Sequence, residues 1–107
     1  MENKDLFLKI INRELPATIL YEDDKVIAIL DKFPHQKGHF LVIPKIYSRN
    51  LFEIDDQTLA YAMIKARELA LEQVKLLGAK GFKLLVNNES VANQQIFHTH
   101  IHIIPFY

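Results

Sequence analysis

The stretch His98-Thr99-His100-Ile101-His102-Ile103-Ile104-Pro105 decides how this chain is read. Polar and apolar residues alternate with period two, the pattern of a half-buried β-strand. The reading predicts a strand over Ile96–Ile104, with the three imidazoles on one face and Thr99, Ile101 and Ile103 turned into a core. An imidazole with an ordinary pKa of about 6.5 can act as nucleophile, acid or base near neutral pH. Three in register, with His39 at the mouth of another strand, describe an active-site wall rather than decoration of a surface. A neutral imidazole attacks phosphorus well when an acceptor holds its other nitrogen and fixes the tautomer. Neighbours two residues away can bond the phosphate oxygens and protonate a leaving group. His100 has such a neighbour on both sides and is the expected nucleophile.

His-x-His is also a zinc spacing. Residues two apart on a strand lie roughly 7 Å apart, so two imidazoles could meet on one ion, but His98 and His102 are about twice as far apart. A site would need His39 or His35, and the chain has no cysteine to help. No metal and no cofactor are expected.

Leu6, Phe7, Ile10 and Ile11 recur at helical spacing over Asp5–Asn12, and Pro16 closes that helix. Thr18–Glu22 and Val26–Asp31 read as a hairpin around Asp23-Asp24-Lys25, and His39–Ile43 as a third strand that Pro44 ends. Asp56–Leu77 is the one long helix, with Asp55 as N-cap and Gly78 as its stop. Phe82–Asn87 and Ile96–Ile104 complete five strands, joined by the polar loop Asn88–Gln95. The expected class is α+β: a five-stranded antiparallel sheet with one long and one short helix.

The long helix is unusually apolar. Lys65, Glu68, Glu72 and Lys75 share a narrow polar arc with Tyr61, while Leu59, Met63, Ile64, Leu71, Val74 and Leu77 spread over the rest. A surface helix buries a stripe of roughly 100°, and this one is about twice that wide. It is expected to cover its own sheet and a second copy of the chain, a homodimer.

The totals narrow the function classes. At 107 residues, half of them hydrophobic, the chain is expected to form one domain over residues 1–107. Thirteen basic residues offset thirteen acidic ones, which gives no electrostatic footprint for nucleic acid or an acidic membrane. The start Met-Glu-Asn-Lys-Asp lacks the pattern of a secretory leader, and no apolar run reaches the ~18 residues of a membrane span. A cytoplasmic location is expected.

The triad stretch resembles the signature of the histidine-triad (HIT) family, His-x-His-x-His followed by two apolar residues. Tyr21-Glu22-Asp23-Asp24, Ala28-Ile29-Leu30-Asp31, Pro34 to Gly38-His39, Leu41-Val42-Ile43-Pro44-Lys45 and Asn50-Leu51 stand where family members have similar residues, so the likeness covers essentially the whole chain. It implies the HIT fold and a nucleotide hydrolase or transferase acting at the α-phosphate through a covalent nucleotidyl-histidine. By position, His100 matches the nucleophile, His102 the histidine on the phosphate, and His39 one that lines the same pocket; His98 is the remaining triad member. Asp31 matches the ribose ligand, with Lys32 following at the nucleotide rim, and Asn87 a phosphate-side residue. Asn93-Gln94-Gln95 matches the loop that cradles the phosphate. An apolar wall for the base would come from Leu6, Ile10, Leu20 and Ile29.

Asp31 and Asn87 resemble the Hint-like branch of nucleoside phosphoramidases more than the dinucleoside polyphosphate hydrolases, which tend to have Asn and Gln there. The implied ligands are purine nucleotides, AMP or GMP conjugates. A dinucleoside polyphosphate hydrolase and a catalytically weak nucleotide-binding regulator are the alternatives. Three positions depart from the pattern. Asn93 replaces the usual glycine, and Gln95 replaces a common Ser or Thr. Asp5, Leu8 and Tyr47 replace three ligands of a zinc that many bacterial relatives hold together with the first triad histidine, here His98.

Overall fold

A computed structural model of the chain describes residues 5–107. The reading of Met1–Lys4 as part of a leaderless start lies outside them. Five strands, β1 (Ile19–Glu22), β2 (Val26–Leu30), β3 (Phe40–Pro44), β4 (Gly81–Leu85) and β5 (Ile101–Phe106), form one sheet in the order β1-β2-β3-β5-β4. Every neighbouring pair is antiparallel. With α1 (Leu6–Ile11) and α2 (Asp56–Leu77), this is the α+β architecture the sequence predicts. No helix among the described residues is long and apolar enough to cross a membrane.

Alternation sorts the strands onto two faces. Val26, Ala28, Phe40, Val42, Ile101 and Ile103 pack under Ala62, Ala66, Leu69 and Ala70 of α2. Ile27, Ile29, Leu41 and Ile43 turn the other way and meet Phe7 and Ile10 of α1. The small residues of α2 bring the helix close to the sheet. Asp55 caps its N-terminus, accepting the Thr58 N–H at 3.0 Å, and Gly78 ends it in a left-handed turn. Ile64, Leu71 and Leu76 stay exposed on α2. The β1–β2 turn is built by Asp23, whose Oδ1 accepts the N–H groups of Lys25 and Val26, both at 2.8 Å. Its Oδ2 accepts the hydroxyls of Tyr21 and Tyr61, which ties the hairpin to α2.

Two expectations are corrected. The last strand starts at Ile101, not Ile96. Upstream of Ile101 the backbone bonds to a crossing segment instead of a ladder: Thr99 N–H donates to the Ser48 carbonyl at 2.9 Å. The hydroxyls of Ser48 and Thr99 also bond, at 2.6 Å, so Thr99 is buried against Ser48. Second, Leu20 does not face the α1 side. The β1–β2 register shifts between Ile19 and Tyr21, and this bulge places both Leu20 and Tyr21 against the α2-side cluster.

Candidate active site

The α1-facing side of the sheet carries the site, and strand parity explains why. Asp31 continues the parity of Ile27 and Ile29, His39 that of Leu41 and Ile43, and Leu41 pairs with His102 across the β3–β5 ladder. Leu85 also pairs with His102, which places Asn87 two residues on at the same face. These residues open onto a cavity of about 1190 Å³. Its wall is apolar where Leu6, Phe7, Ile10, Ile29 and Leu41 contribute, and polar where Asp31, Lys32, Asn87, Asn93 and Gln95 meet His39, His100 and His102. An apolar pocket with a few convergent polar groups is the usual form of a small-molecule site.

Hydrogen-bond partners assign the tautomers. His100 Nδ1–H donates to the His98 carbonyl at 2.7 Å, which leaves the Nε2 lone pair free. The His35 backbone N–H donates to His39 Nδ1 at 3.1 Å, so the proton of a neutral His39 sits on Nε2. That Nε2–H donates to His102 Nδ1 at 3.0 Å and lies 3.4 Å from Asp31 Oδ2. His102 therefore carries its own proton on Nε2. The rings of His100 and His102 stand 4.9 Å apart. Burial favours the neutral forms. His102 is pushed down to about 4, first by burial and then by His100 and His39. Burial also lowers His100 against the pull of the His98 carbonyl, and lowers His39 against the pull of Asp31.

Two expected site residues stand elsewhere. His98 is completely buried and is not part of the cavity wall. Its Nε2–H donates to the Pro44 carbonyl at 2.7 Å, and its ring lies edge-on to Phe7 and Tyr47. Gln94 is buried and faces away from the cavity. Its amide accepts from Asn50 Nδ2 and Glu89 N–H and donates to the carbonyls of Arg49 and Ile96. Asn93 and Gln95 line the cavity, and the Gln94 side chain does not.

Neither candidate metal set among the described residues offers a full set of lone pairs. Asp31 Oδ2, His39 Nε2 and His102 Nδ1 lie 3.0–3.9 Å apart in pairs, close to the roughly 3.3 Å between ligands of a tetrahedral zinc. Yet His39 Nδ1 is already an acceptor, so its Nε2 holds a hydrogen where a metal needs a lone pair. At the family's structural zinc position, His98 Nδ1 is buried without a partner, but Leu8 has no donor atom and the Tyr47 hydroxyl donates to the Phe97 carbonyl. That zinc does not fit this chain.

Neither Phe33 nor Glu89 carries a signal in the sequence pattern. Phe33 is 78% exposed on the cavity wall, with its N–H held by Asp31 Oδ1 at 2.8 Å. Glu89 adopts φ 77°, ψ 157°, a backbone for which glutamate has no preference, so nothing local announces it.

Comparison with known proteins agrees with this architecture. The HIT domain family model matches residues 12–107. A 13.1 kDa HIT-like protein of Mesomycoplasma hyorhinis is 70% identical over 97% of this chain and 94% of its own length. The adenylylsulfatase HINT3 of Arabidopsis thaliana is 45% identical over 98% of this chain, which spans only 53% of that protein. The crystal structure of a hypothetical histidine triad nucleotide-binding protein from Sulfolobus tokodaii superposes with a TM-score of 0.93 at 45% identity, covering 95% of this chain and 68% of that one. With a family model spanning nearly all of its length and relatives this similar, the chain belongs to the HIT domain family.

Proposed function

We propose that this protein is a nucleotide hydrolase of the phosphoramidase type, in which His100 forms a covalent nucleotidyl intermediate. The observation that carries the reading is the His100 tautomer: Nδ1–H is committed to the His98 carbonyl, so the free Nε2 lone pair belongs to a residue on the cavity wall. In this mechanism Nε2 attacks the α-phosphorus of a nucleoside 5′-phosphoramidate. The N–P bond forms as the bond to the leaving amine breaks. His102 Nε2–H, with Asn93 and Gln95, bonds the phosphoryl oxygens. A bound phosphate anion raises the pKa of the adjacent His102; once the His39 Nε2–H turns from His102 Nδ1 to Asp31 Oδ2, 3.4 Å away, Nδ1 takes up a proton and the imidazolium gives its Nε2 proton to the departing amine. Water then attacks the nucleotidyl-histidine: the O–P bond forms, the N–P bond breaks, and a proton of the water returns to His102 Nε2, which releases the nucleoside monophosphate and restores neutral His100. Asp31 takes the ribose hydroxyls beside Lys32, Asn87 stands on the phosphate side, and Leu6, Ile10 and Ile29 face the base. His39 sets the tautomer of His102, while His98 serves through its backbone carbonyl and its bond to Pro44.

We read the active form as a cytoplasmic homodimer of one-domain subunits that takes purine nucleotide conjugates. The exposed Ile64 and Leu71 on α2 support the dimer, and sedimentation at the 12.5 kDa of a single chain would count against it. The test of function is turnover of adenosine 5′-phosphoramidate by wild type and His100→Ala. Adenylyl sulfate and a dinucleoside tetraphosphate are run alongside, the former because the Arabidopsis relative is named for that substrate. Losing a covalent nucleophile should cost several orders of magnitude in kcat. A His100→Ala enzyme with most of its activity refutes the assignment. Turnover of the tetraphosphate alone would move the protein to the dinucleoside branch, and binding without turnover would make it a regulator.

A further inference from the structure

We propose that the Arg49–Glu89 ion pair, together with Asn50, is a positioning device that holds the phosphate-side wall of the cavity in its working shape. This rests on the catalytic reading above.

The first observation is backbone strain at one residue. Glu89, at φ 77° and ψ 157°, occupies a region open essentially only to glycine. A side chain stays there only where its surroundings over-determine it. The second observation is what does so. Glu89 Oε1 accepts from Arg49 Nη2 at 2.9 Å and Oε2 from Arg49 Nε at 2.9 Å, a two-pronged pair of the strongest type. Oε2 also accepts from Asn50 Nδ2 at 2.6 Å. The Glu89 N–H donates to Gln94 Oε1 at 2.8 Å, and its carbonyl accepts from the N–H groups of Ala92 and Gln94 at 3.0 and 3.1 Å. Every polar atom of Glu89 is engaged. The Arg49 hydrogen bonds, then that of Asn50, draw the Glu89 carboxyl down to about 2, so the pair is charged throughout the neutral range.

The third observation is where this network sits. Arg49, Asn50 and Glu89 do not line the cavity, whereas Asn93 and Gln95, on the loop that Glu89 opens, do. The Arg49 guanidinium also lies 4.4 Å from the Phe97 ring centre, one residue before the triad begins. The segment from Tyr47 to Leu51 thus grips the loop at Asn88, Glu89 and Gln94 and the triad entry at Phe97 and Thr99. No residue of that segment lines the cavity. Its effect on the reaction is the placement of Asn93 and Gln95.

Glycine at position 89 separates positioning from simple stabilisation. Glu89→Gly relieves the strained backbone while removing the carboxylate, so the fold should melt no lower than that of Glu89→Ala, which keeps the strain and loses the clamp. We expect Glu89→Gly to lower kcat on adenosine 5′-phosphoramidate at least tenfold with KM changed less than threefold. Arg49→Lys, which keeps the charge but not the fork, should fall between it and wild type. Hydrogen exchange of the wild type and Glu89→Gly supplies a readout that needs no turnover: the Asn88–Gln95 amides should exchange at least tenfold faster while β2 and β3 keep their protection. Wild-type kcat and unchanged exchange in Glu89→Gly would overturn the proposal. So would acceleration spread evenly over the sheet, which would mark a general stabilising contact. If the wild type turns over no substrate, the catalytic reading fails, and the exchange arm still decides whether the pair positions the loop.

Discussion

Replacing His98 by alanine separates a structural histidine from a catalytic one within a single triad. The imidazole is fully buried, donates to the Pro44 carbonyl at 2.7 Å and leaves Nδ1 unpartnered. Truncation opens a cavity whose cost, scaled down from the Phe→Ala range, is about 3 kcal/mol. It also strands the Pro44 carbonyl at about 1–2 kcal/mol, while removing the orphan Nδ1 returns a similar amount. The net loss is about 3 kcal/mol, a substantial part of the roughly 5–15 kcal/mol that holds a domain together. For a chain of this length that lowers Tm by about 12–24 °C. The chemistry should survive, because His100 Nδ1 is anchored by the backbone carbonyl of residue 98, which alanine keeps. Thermal melting followed by circular dichroism, paired with kcat measured well below the variant's Tm, tests both halves. The expected result is the large Tm loss with kcat within about tenfold of wild type. A Tm within about 4 °C of wild type together with a kcat reduced a thousandfold would return the His98 ring to the reaction.

Further outcomes follow from the same geometry. His39, His98, His100 and His102 all have pKa values lowered by burial, so the unfolded chain binds protons near pH 6.5 that the folded chain refuses. Stability is therefore at its full value above about pH 6.5 and falls as the pH drops towards the folded values; for His102 the span from 6.5 to about 4 is worth on the order of 3 kcal/mol. Urea midpoints should be clearly lower at pH 5 than at pH 7.5, and equal midpoints would contradict neutral burial. The lowered carboxyls of Glu22, Asp23 and Glu89 act only below their ordinary range near 4, outside that comparison. Gly38→Ala should destabilise by about 1–3 kcal/mol, since residue 38 sits at φ 85° and a Cβ there would approach Leu77 Cδ1 to 2.4 Å. An unchanged Tm in that variant would show that the turn before His39 has room to relax.

Much of the site was legible in the sequence because strand parity is a local property of the backbone. Alternation in Val26–Leu30, Phe40–Pro44 and Ile101–Phe106 sorts the two faces, and carrying the same parity outward puts Asp31, His39, His100 and His102 on one of them. The boundaries of α2 were legible for an equally local reason, an Asp cap at one end and a left-handed glycine at the other.

Tertiary contacts override local pattern where residues distant in sequence compete for the same backbone groups. Leu20 changes face because β1 bulges against β2. The last strand loses its first residues because Ser48 takes the Thr99 N–H. His98 leaves the cavity for the Pro44 carbonyl, 54 residues away in sequence, and Gln94 turns inward to the Arg49 carbonyl, 45 residues away. Glu89 holds a backbone meant for glycine because Arg49 and Asn50, about 40 residues earlier, close around its carboxylate. Periodicity and caps encode what each segment does with its own neighbours. Which segment crosses which, and so which histidine reaches the cavity, is set only when the whole chain satisfies its buried polar groups together.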